Sequence, residues 1–384
     1  MIIFGAATLG EVTLAACWRR SIPVECFVDD RVVGPINGVE VIRTQDLKAR
    51  YPQASFYLTS PNIEDMIKPL EGMGYKDWHS FGEVVNPHDI TKDDFSDAEY
   101  TVEHVKYLAR TALHHHDNYL HPERLTVQSV DLIVTEKCTM KCADCSNLMQ
   151  YYEAPENADL NETLKMIGDF LALMDEAYEF RVIGGEPFVN KEVHLIVERL
   201  TAEEKVKRVS IFTNGTIVPR EHQFAALTHE KVRFFITDYD ELSRNLTPLL
   251  AELDRRGIAY VSEKANGWTE CASLEKHNRT VPENEALWTA CCAKNLATLA
   301  DGRLYRCPFA ANAFKLGAVP DYTGDYLTVD TASREDVGTF LRGKTYIETC
   351  DHCNGRSYGD QVITPAVQVK KPLPYKKYVL KQVH

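Results

Sequence analysis

Three cysteines crowd one short stretch, Cys138-Thr-Met-Lys-Cys142-Ala-Asp-Cys145, with the spacing C-x3-C-x2-C. Thiolates placed this way can take three irons of a cubane iron–sulfur cluster and leave the fourth iron without a protein ligand. An open position of that kind suits cofactor or substrate binding. A zinc site would ask for a fourth Cys or His nearby, and none stands in this loop. Further on come the adjacent pair Cys291-Cys292, then Cys307, then Cys350-x2-Cys353. Counting one of the adjacent pair, these supply enough thiolates to close a second cubane, with a four-cysteine zinc site as the competing reading. The remaining cysteines, Cys17, Cys26 and Cys271, are scattered and read as buried small hydrophobes.

The elements that must position these groups are legible from about residue 127 onward, where apolar strand-like runs alternate with helical ones. Val130–Val134, Phe180–Ile183, Val209–Phe212, Val232–Ile236 and Ile258–Val261 read as strands. Leu164, Ile167, Leu171 and Met174 fall at helical spacing, as do Leu242, Leu246, Leu249, Leu250 and Leu253. Such alternation predicts a parallel sheet or partial barrel with helices outside. A polar motif follows directly on each of four strands: the cysteine loop, Gly184-Gly185-Glu186-Pro187, Thr213-Asn214-Gly215 and Thr237-Asp238-Tyr239-Asp240. In parallel α/β architectures the loops after the strands share one rim, and ligands bind there. Asp238, Tyr239 and Asp240 read either as a helix cap with an ordinary aromatic or as hydrogen-bonding and proton-accepting groups facing a substrate. Downstream, Gly302-x4-Cys307 suits a β-hairpin with the glycine at its turn and the thiol at the end of the returning strand.

The cysteine loop after the first strand, followed by Gly-Gly-Glu-Pro after the second, resembles the radical S-adenosylmethionine (SAM) superfamily over about residues 127–262. The resemblance implies an α/β fold with a partial (β/α)6 barrel core. It implies a [4Fe–4S] cluster on Cys138, Cys142 and Cys145 whose open iron chelates SAM, and one-electron cleavage of SAM to a 5′-deoxyadenosyl radical that abstracts hydrogen from a substrate. Gly184, Gly185, Glu186 and Pro187 would meet the methionine amino group, and Thr213 and Asn214 would lie near the ribose. Asp144 stands where such loops commonly carry an aromatic residue near the adenine. The later cysteines resemble the twitch form of the SPASM/twitch extension, which implies a second [4Fe–4S] cluster on Cys291, Cys307, Cys350 and Cys353. Cys291 is favoured over Cys292 because Trp288-x2-Cys291 resembles the start of that pattern. Related proteins include aminocyclitol dehydrogenases and, with a Cys-Pro-Phe-Ala pattern (Cys307–Ala310 here), members linked to carbohydrate assembly. The expectation is therefore oxidation or epimerisation of a sugar or nucleotide-linked sugar, driven by a low-potential reductant such as flavodoxin or ferredoxin. A maturase of a ribosomally made peptide and a non-catalytic electron carrier are the alternatives.

The first 85 residues read as a small Rossmann-like βαβ domain. A strand Ile2–Phe4 runs into Gly5-Ala-Ala-Thr-Leu-Gly10, a helix follows, and Val24–Val28 leads to Asp29-Asp30. The pattern is G-x-A-x-x-G, so the glycines serve either phosphate binding or only a tight turn and close helix packing. This segment also resembles the N-terminal domain of sugar-modifying acyltransferases. Residues 86–126 read as a charged connector whose His114–His116 run lies on an exposed helix face or binds metal. The core is expected over 127–265 and the twitch-type domain over 266–360. Residues 361–384, with Lys370, Lys371, Lys376, Lys377 and Lys381, read as a solvated basic tail. With 43 Lys+Arg against 56 Asp+Glu, the net charge is −13, which offers no general drive toward nucleic acid or anionic membrane. No apolar run approaches the roughly 20 residues that span a bilayer. The opening Met1-Ile-Ile-Phe-Gly5 has no basic region or cleavage site of a signal peptide, so the expectation is a cytoplasmic protein with reduced thiols.

Overall fold

A computed structural model describes residues 1–98, 100–355 and 361–378. The chain divides into two compact units, Met1–Arg124 and Leu125–His384. The first is built on strands β1 (Ile2–Phe4), β2 (Cys26–Val28), β3 (Val41–Ile42), β4 (Phe56–Leu58) and β5 (Trp78–Ser80). They form one parallel sheet in the order β3-β2-β1-β4-β5. The short strands are almost entirely apolar because helices cover both faces of the sheet.

The glycine turn of this unit serves packing. A Cβ on Gly10 would lie 2.2 Å from the Gly5 carbonyl oxygen, so the helix Thr8–Arg19 starts where only a glycine fits. The acids that follow β2 are likewise occupied. Asp29 accepts from the amides of Ala6 (2.9 Å), Arg31 (2.8 Å) and Val32 (3.0 Å). Asp30 accepts from the amide and hydroxyl of Thr44 at 2.9 and 2.7 Å.

Residues 86–124 differ from the expected connector, because they complete this unit. The helix Val102–Leu120 lays Val105, Ala109 and Ala112 against Leu9, Val12, Ala16 and Cys17. His114 and His116 are buried rather than exposed. His116 Nε2 lies 2.8 Å from the Ser60 carbonyl, to which it donates, leaving Nδ1 to accept from the Ser80 hydroxyl at 2.7 Å.

The second unit is an α/β partial barrel. Strands β6 (Thr126–Thr135), β7 (Glu176–Gly184), β8 (Val206–Thr213), β9 (Val232–Asp238) and β10 (Ala259–Lys264) are parallel neighbours in chain order. Between them run helices such as Leu160–Leu173, whose start is capped by Asp159 accepting from the Glu162 amide at 2.9 Å. Strand alternation sorts the side chains. Val130, Leu132 and Val134 of β6 and Phe180 and Val182 of β7 pack on Ile167, Phe170 and Leu171 of that helix and its neighbours. The helix buries Thr163, Met166, Ile167, Phe170 and Leu171, which leaves Leu164 on the flank of its apolar face. The opposite parity is polar: Glu179 accepts from Ser129 Oγ at 2.9 Å and from Ser210 Oγ, and Asp131 faces Arg181.

The downstream region continues this sheet. After the two-residue β11 (Trp268–Thr269), strand β12 (Leu296–Ala300) adds parallel to β6 as the sixth parallel strand. It turns at Asp301-Gly302 into β13 (Arg303–Tyr305), which pairs with β14 (Tyr326–Thr328). The eight-stranded order is β10-β9-β8-β7-β6-β12-β13-β14. The C-terminal segment is not a solvated tail over its described part. Strand β15 (Val362–Ile363) pairs with β11, and residues 364–378 then run along the protein surface under a series of backbone hydrogen bonds. Lys381 lies outside the described residues. Among the described residues, no helix is long and apolar enough to cross a membrane.

Candidate metal and cofactor site

The loops that follow β6, β7, β8 and β9 meet at one rim of the second unit, around a cavity of about 550 Å³. Cys138, Cys142 and Cys145 line it, together with Gly184, Gly185, Thr213, Asn214 and Tyr239. Cys291, Cys307 and Cys353 line it as well. Cys350 is buried just behind, in a cluster that includes Trp288, Tyr305 and Ile347.

Backbone hydrogen bonds splice the first two loops together. Gly185 N donates to Thr135 O at 3.0 Å and Glu186 N to Lys137 O at 2.9 Å. A Cβ on Gly185 would sit 2.3 Å from the Lys137 oxygen and 2.7 Å from Cys138 Cβ, so any side chain there would displace the cysteine loop. Asn214 latches the third loop on. Its Nδ2 donates to Thr139 Oγ1 at 3.2 Å and approaches Cys138 Sγ at 3.7 Å, while its Oδ1 accepts from Thr216.

Glu186 and Pro187 do not line the cavity. Glu186 is fully buried beneath it, accepting from Thr213 Oγ1 and the Asn214 amide at 2.9 Å and from the Phe188 amide at 3.2 Å. It therefore holds the third loop against the second. Burial outweighs these donors and pushes its carboxyl up to about 7. The folded state then keeps a proton that the unfolded chain gives up near its ordinary value of 4.5. The contribution of Glu186 to stability falls as pH rises from about 4.5 to about 7 and is level above, a loss on the order of 3 kcal/mol. Burial lowers His115 to about 4 and also lowers His116 and His352, which adds a slope of the opposite sign. The Glu186 part is therefore read from chemical unfolding of the metal-free chain as the difference between wild type and Glu186→Gln, with wild type losing stability relative to the variant as pH rises across this range. The same pH dependence in wild type and variant would place the proton elsewhere.

Of the two readings of Asp238-Tyr239-Asp240, the turn and surface contacts of the two acids fit the capping one. Asp238 accepts from the Asp240 amide at 2.8 Å, and Asp240 pairs with Lys264 at 2.6 Å on the exposed surface. Only Tyr239 of that trio reaches the cavity, where its ring meets Trp268 edge-on at 5.9 Å beside Cys138 and Cys145.

Several cavity residues carried no motif. Cys271, read from the sequence as an isolated buried hydrophobe, stands on the wall, and its carbonyl accepts from Cys353 Sγ at 3.6 Å. The side chain of Cys292 lies outside the described residues. At the floor Arg181 forms an ion pair with Asp131 at 3.1 Å and lies 4.6 Å over the Phe212 ring, which stacks on Phe235. A charged residue at the inward parity of an otherwise apolar strand was the available signal for Asp131.

The donor set suits thiolate-bound iron. Burial pushes Cys138 up to about 12, Cys142 and Cys350 to about 11 and Cys353 to about 12. Without metal these surroundings favour neutral thiols, and binding of cationic metal releases their protons. Cys307 caps the helix Pro308–Lys315, its Sγ accepting from the Ala310 amide at 3.4 Å, so the helix N-terminus faces any charge on that sulfur. Among the described residues, no three His, Cys, Asp or Glu side chains converge on a single ion. A cubane asks for a different spacing, with each thiolate on its own iron.

Residues 132–259 match the family model of the Radical SAM superfamily. Among curated proteins, a GTP 3′,8-cyclase of Mannheimia succiniciproducens is 36% identical over 88 residues, 22% of this chain and 25% of the relative. One of Xanthomonas axonopodis pv. citri is 28% identical over 151 residues, 38% of this chain and 42% of the relative. The chain thus spans only a quarter to less than half of the length of these relatives. The solved structure of BtrN in complex with AdoMet and 2-DOIA aligns at 16% identity and TM-score 0.41, covering 64% of this chain and 97% of that one. That of anSMEcpe with bound AdoMet aligns at 12% identity and TM-score 0.36, covering 55% and 80%.

Proposed function

As a member of the radical SAM superfamily through residues 132–259, this chain, we propose, cleaves SAM reductively and abstracts hydrogen from a carbohydrate or nucleotide-linked sugar, oxidising or epimerising it at a carbinol carbon. The observation that carries the reading is the convergence of Cys138, Cys142 and Cys145 with Gly184, Gly185, Thr213 and Asn214 on one cavity. Three thiols on one wall fit a cluster with one open iron. When bound, the cluster and SAM supply a one-electron cleavage of the sulfonium that yields a 5′-deoxyadenosyl radical.

The chain's own residues would hold and orient the reactants. The peptide groups of Gly184 and Gly185 border the thiols closely enough to hydrogen-bond a chelated amino acid. Thr213 and Asn214, fixed from below by Glu186, offer polar groups to a ribose. Tyr239 and Trp268 provide the aromatic surface that Asp144 does not, beside the cysteine loop. Cys307, Cys350 and Cys353, with Cys291 as the fourth, would hold an auxiliary [4Fe–4S] cluster, and Cys271 on the same wall is a rival for the fourth position. An auxiliary cluster can take the electron that a substrate radical must give up when it also loses a proton. A polar cavity floor built of Asp131 and Arg181 suits a hydroxyl-rich substrate better than an apolar one. The curated relatives match over too small a part of their length for their substrate to be carried over.

The test is anaerobic incubation of reconstituted protein with SAM and a low-potential reductant (dithionite, or flavodoxin or ferredoxin). Formation of 5′-deoxyadenosine is expected, with deuterium entering it from a labelled substrate sugar. Intact first cluster without any 5′-deoxyadenosine would favour an electron carrier. Deuterium from a peptide and from no sugar would favour peptide maturation.

A further inference from the structure

We propose that the C-terminal strap, residues 361–378, is part of the first cluster's site, with Gln368 as a positioning residue that donates a hydrogen bond to the Cys142 sulfur; this rests on the cluster reading above. The strap is tied down at both ends. Strand β15 pairs with β11 on one side of the cysteine loop. On the other side Leu373 N donates to Gln150 O at 2.9 Å, Tyr375 Oη to Leu316 O at 3.1 Å and Tyr378 N to Gly317 O at 2.7 Å.

Between these anchors the strap lies along the cysteine loop like an added strand. Ala143 N donates to Val367 O at 2.8 Å and Val369 N to Lys141 O at 2.7 Å, so both chain neighbours of Cys142 are fixed by backbone bonds. Ala366, buried, packs against Met140 and Cys142. The Gln368 amide can be oriented by its partners. Its Oε1 accepts from the Lys141 amide at 2.8 Å, which only an oxygen can do. Its Nε2 is therefore the atom 3.3 Å from Cys142 Sγ, and it also donates to Ala366 O at 2.7 Å. The Gln368–Cys142 contact spans 226 residues of sequence, so it is a tertiary feature of the folded chain.

An N–H aimed at a ligating sulfur stabilises negative charge there, and more so in the reduced cluster than in the oxidised one. Gln368 should thus raise the reduction potential of the first cluster and fix the place of its second ligand. The strap should also shield Cys142 from reagents in the metal-free protein.

Two measurements decide this. In full-length chain carrying Cys350→Ala and Cys353→Ala, so that the first cluster is read alone, an EPR-monitored redox titration compares Gln368→Leu with its parent. The expected result is a roughly tenfold shift of the one-electron equilibrium toward the oxidised form, about 59 mV. Gln368→Glu, which brings a negative charge to the sulfur, should shift it further. In metal-free wild-type chain, iodoacetamide labelling read by mass spectrometry compares Cys142 with Cys350, a buried cysteine of the same unit whose packing does not involve the strap. The chain ended after residue 361 should label Cys142 severalfold faster (about fivefold or more) with Cys350 unchanged, whereas Gln368→Leu, which keeps the strap and loses only the donor that favours the thiolate, should label no faster than wild type. Equal potentials, or equal labelling of Cys142 with and without the strap, would overturn the proposal. Should the wild-type chain take up no cluster, the proposed function fails, and the labelling experiment still decides whether the strap guards Cys142.

Discussion

Exchanging any one of Cys138, Cys142 and Cys145 for alanine reduces 5′-deoxyadenosine formation to the level of a protein-free control. The three thiols line one cavity, and with each on its own iron the cysteine loop has no spare ligand of its own. A cubane held at only two corners is open to solvent and reductant and loses iron. The loss belongs to the site and not to the fold. Cys138 and Cys145 are only partly buried, and the main core of this unit is made by the strands and helices of residues 125–340 without them. Far-UV circular dichroism and unfolding of the metal-free variants should therefore match the wild type within a modest margin. Cleavage that survived in any of the three variants would require a ligand outside this loop.

The second large effect separates the two clusters. Cys353→Ala or Cys307→Ala should lower iron from about eight to about four per chain while sparing SAM cleavage, and should stop conversion of the substrate. Both residues line the cavity, pack against one apolar cluster and lie near Cys350. The fourth ligand can be read from the same experiment. Cys291→Ala should behave as Cys353→Ala does, and Cys271→Ala should keep the full iron content. The reverse pattern would assign the fourth position to Cys271. One zinc per chain alongside four irons in the wild type would remove the auxiliary cluster from the account altogether.

How far the sequence carried depended on whether a feature is local. The strands before each motif were legible because apolar runs of a few residues end directly at Gly184, Thr213 and Thr237 and three residues short of Cys138, and the rim then follows from parallel topology. The hairpin at Asp301-Gly302 was legible for the same reason. The inner parity of β6 and β7 was not read, although Asp131 between Val130 and Leu132 is a local sign of it. What escaped altogether depends on distant partners. Cys271 shows its place only once residues 271 and 353 are brought together. The strap reads as a lysine- and proline-rich tail because its stabilisation comes from backbone bonds to residues 141, 143 and 150, which leave no trace in side-chain pattern. The helix Val102–Leu120 was hidden similarly. Its buried face relies on the small Ala109 and Ala112, which fit close against the helix Thr8–Arg19 where larger residues would have announced a core. Asp238 and Asp240 carried two readings from sequence, since strand-end carboxylates cap turns and pair with surface lysines as readily as they face a ligand, and their contacts here are of the first kind.

The central claim is that one iron of the first cluster is open and takes SAM directly. The direct measurement is the EPR spectrum of the reduced, anaerobically reconstituted chain before and after SAM, using SAM labelled with ¹⁵N at the amino group or ¹⁷O at the carboxylate. The account predicts a shifted spectrum with hyperfine coupling from the labelled atoms, in the wild type and in the Cys353→Ala variant alike. A spectrum that SAM leaves unchanged, with no labelled nucleus coupled, would contradict it.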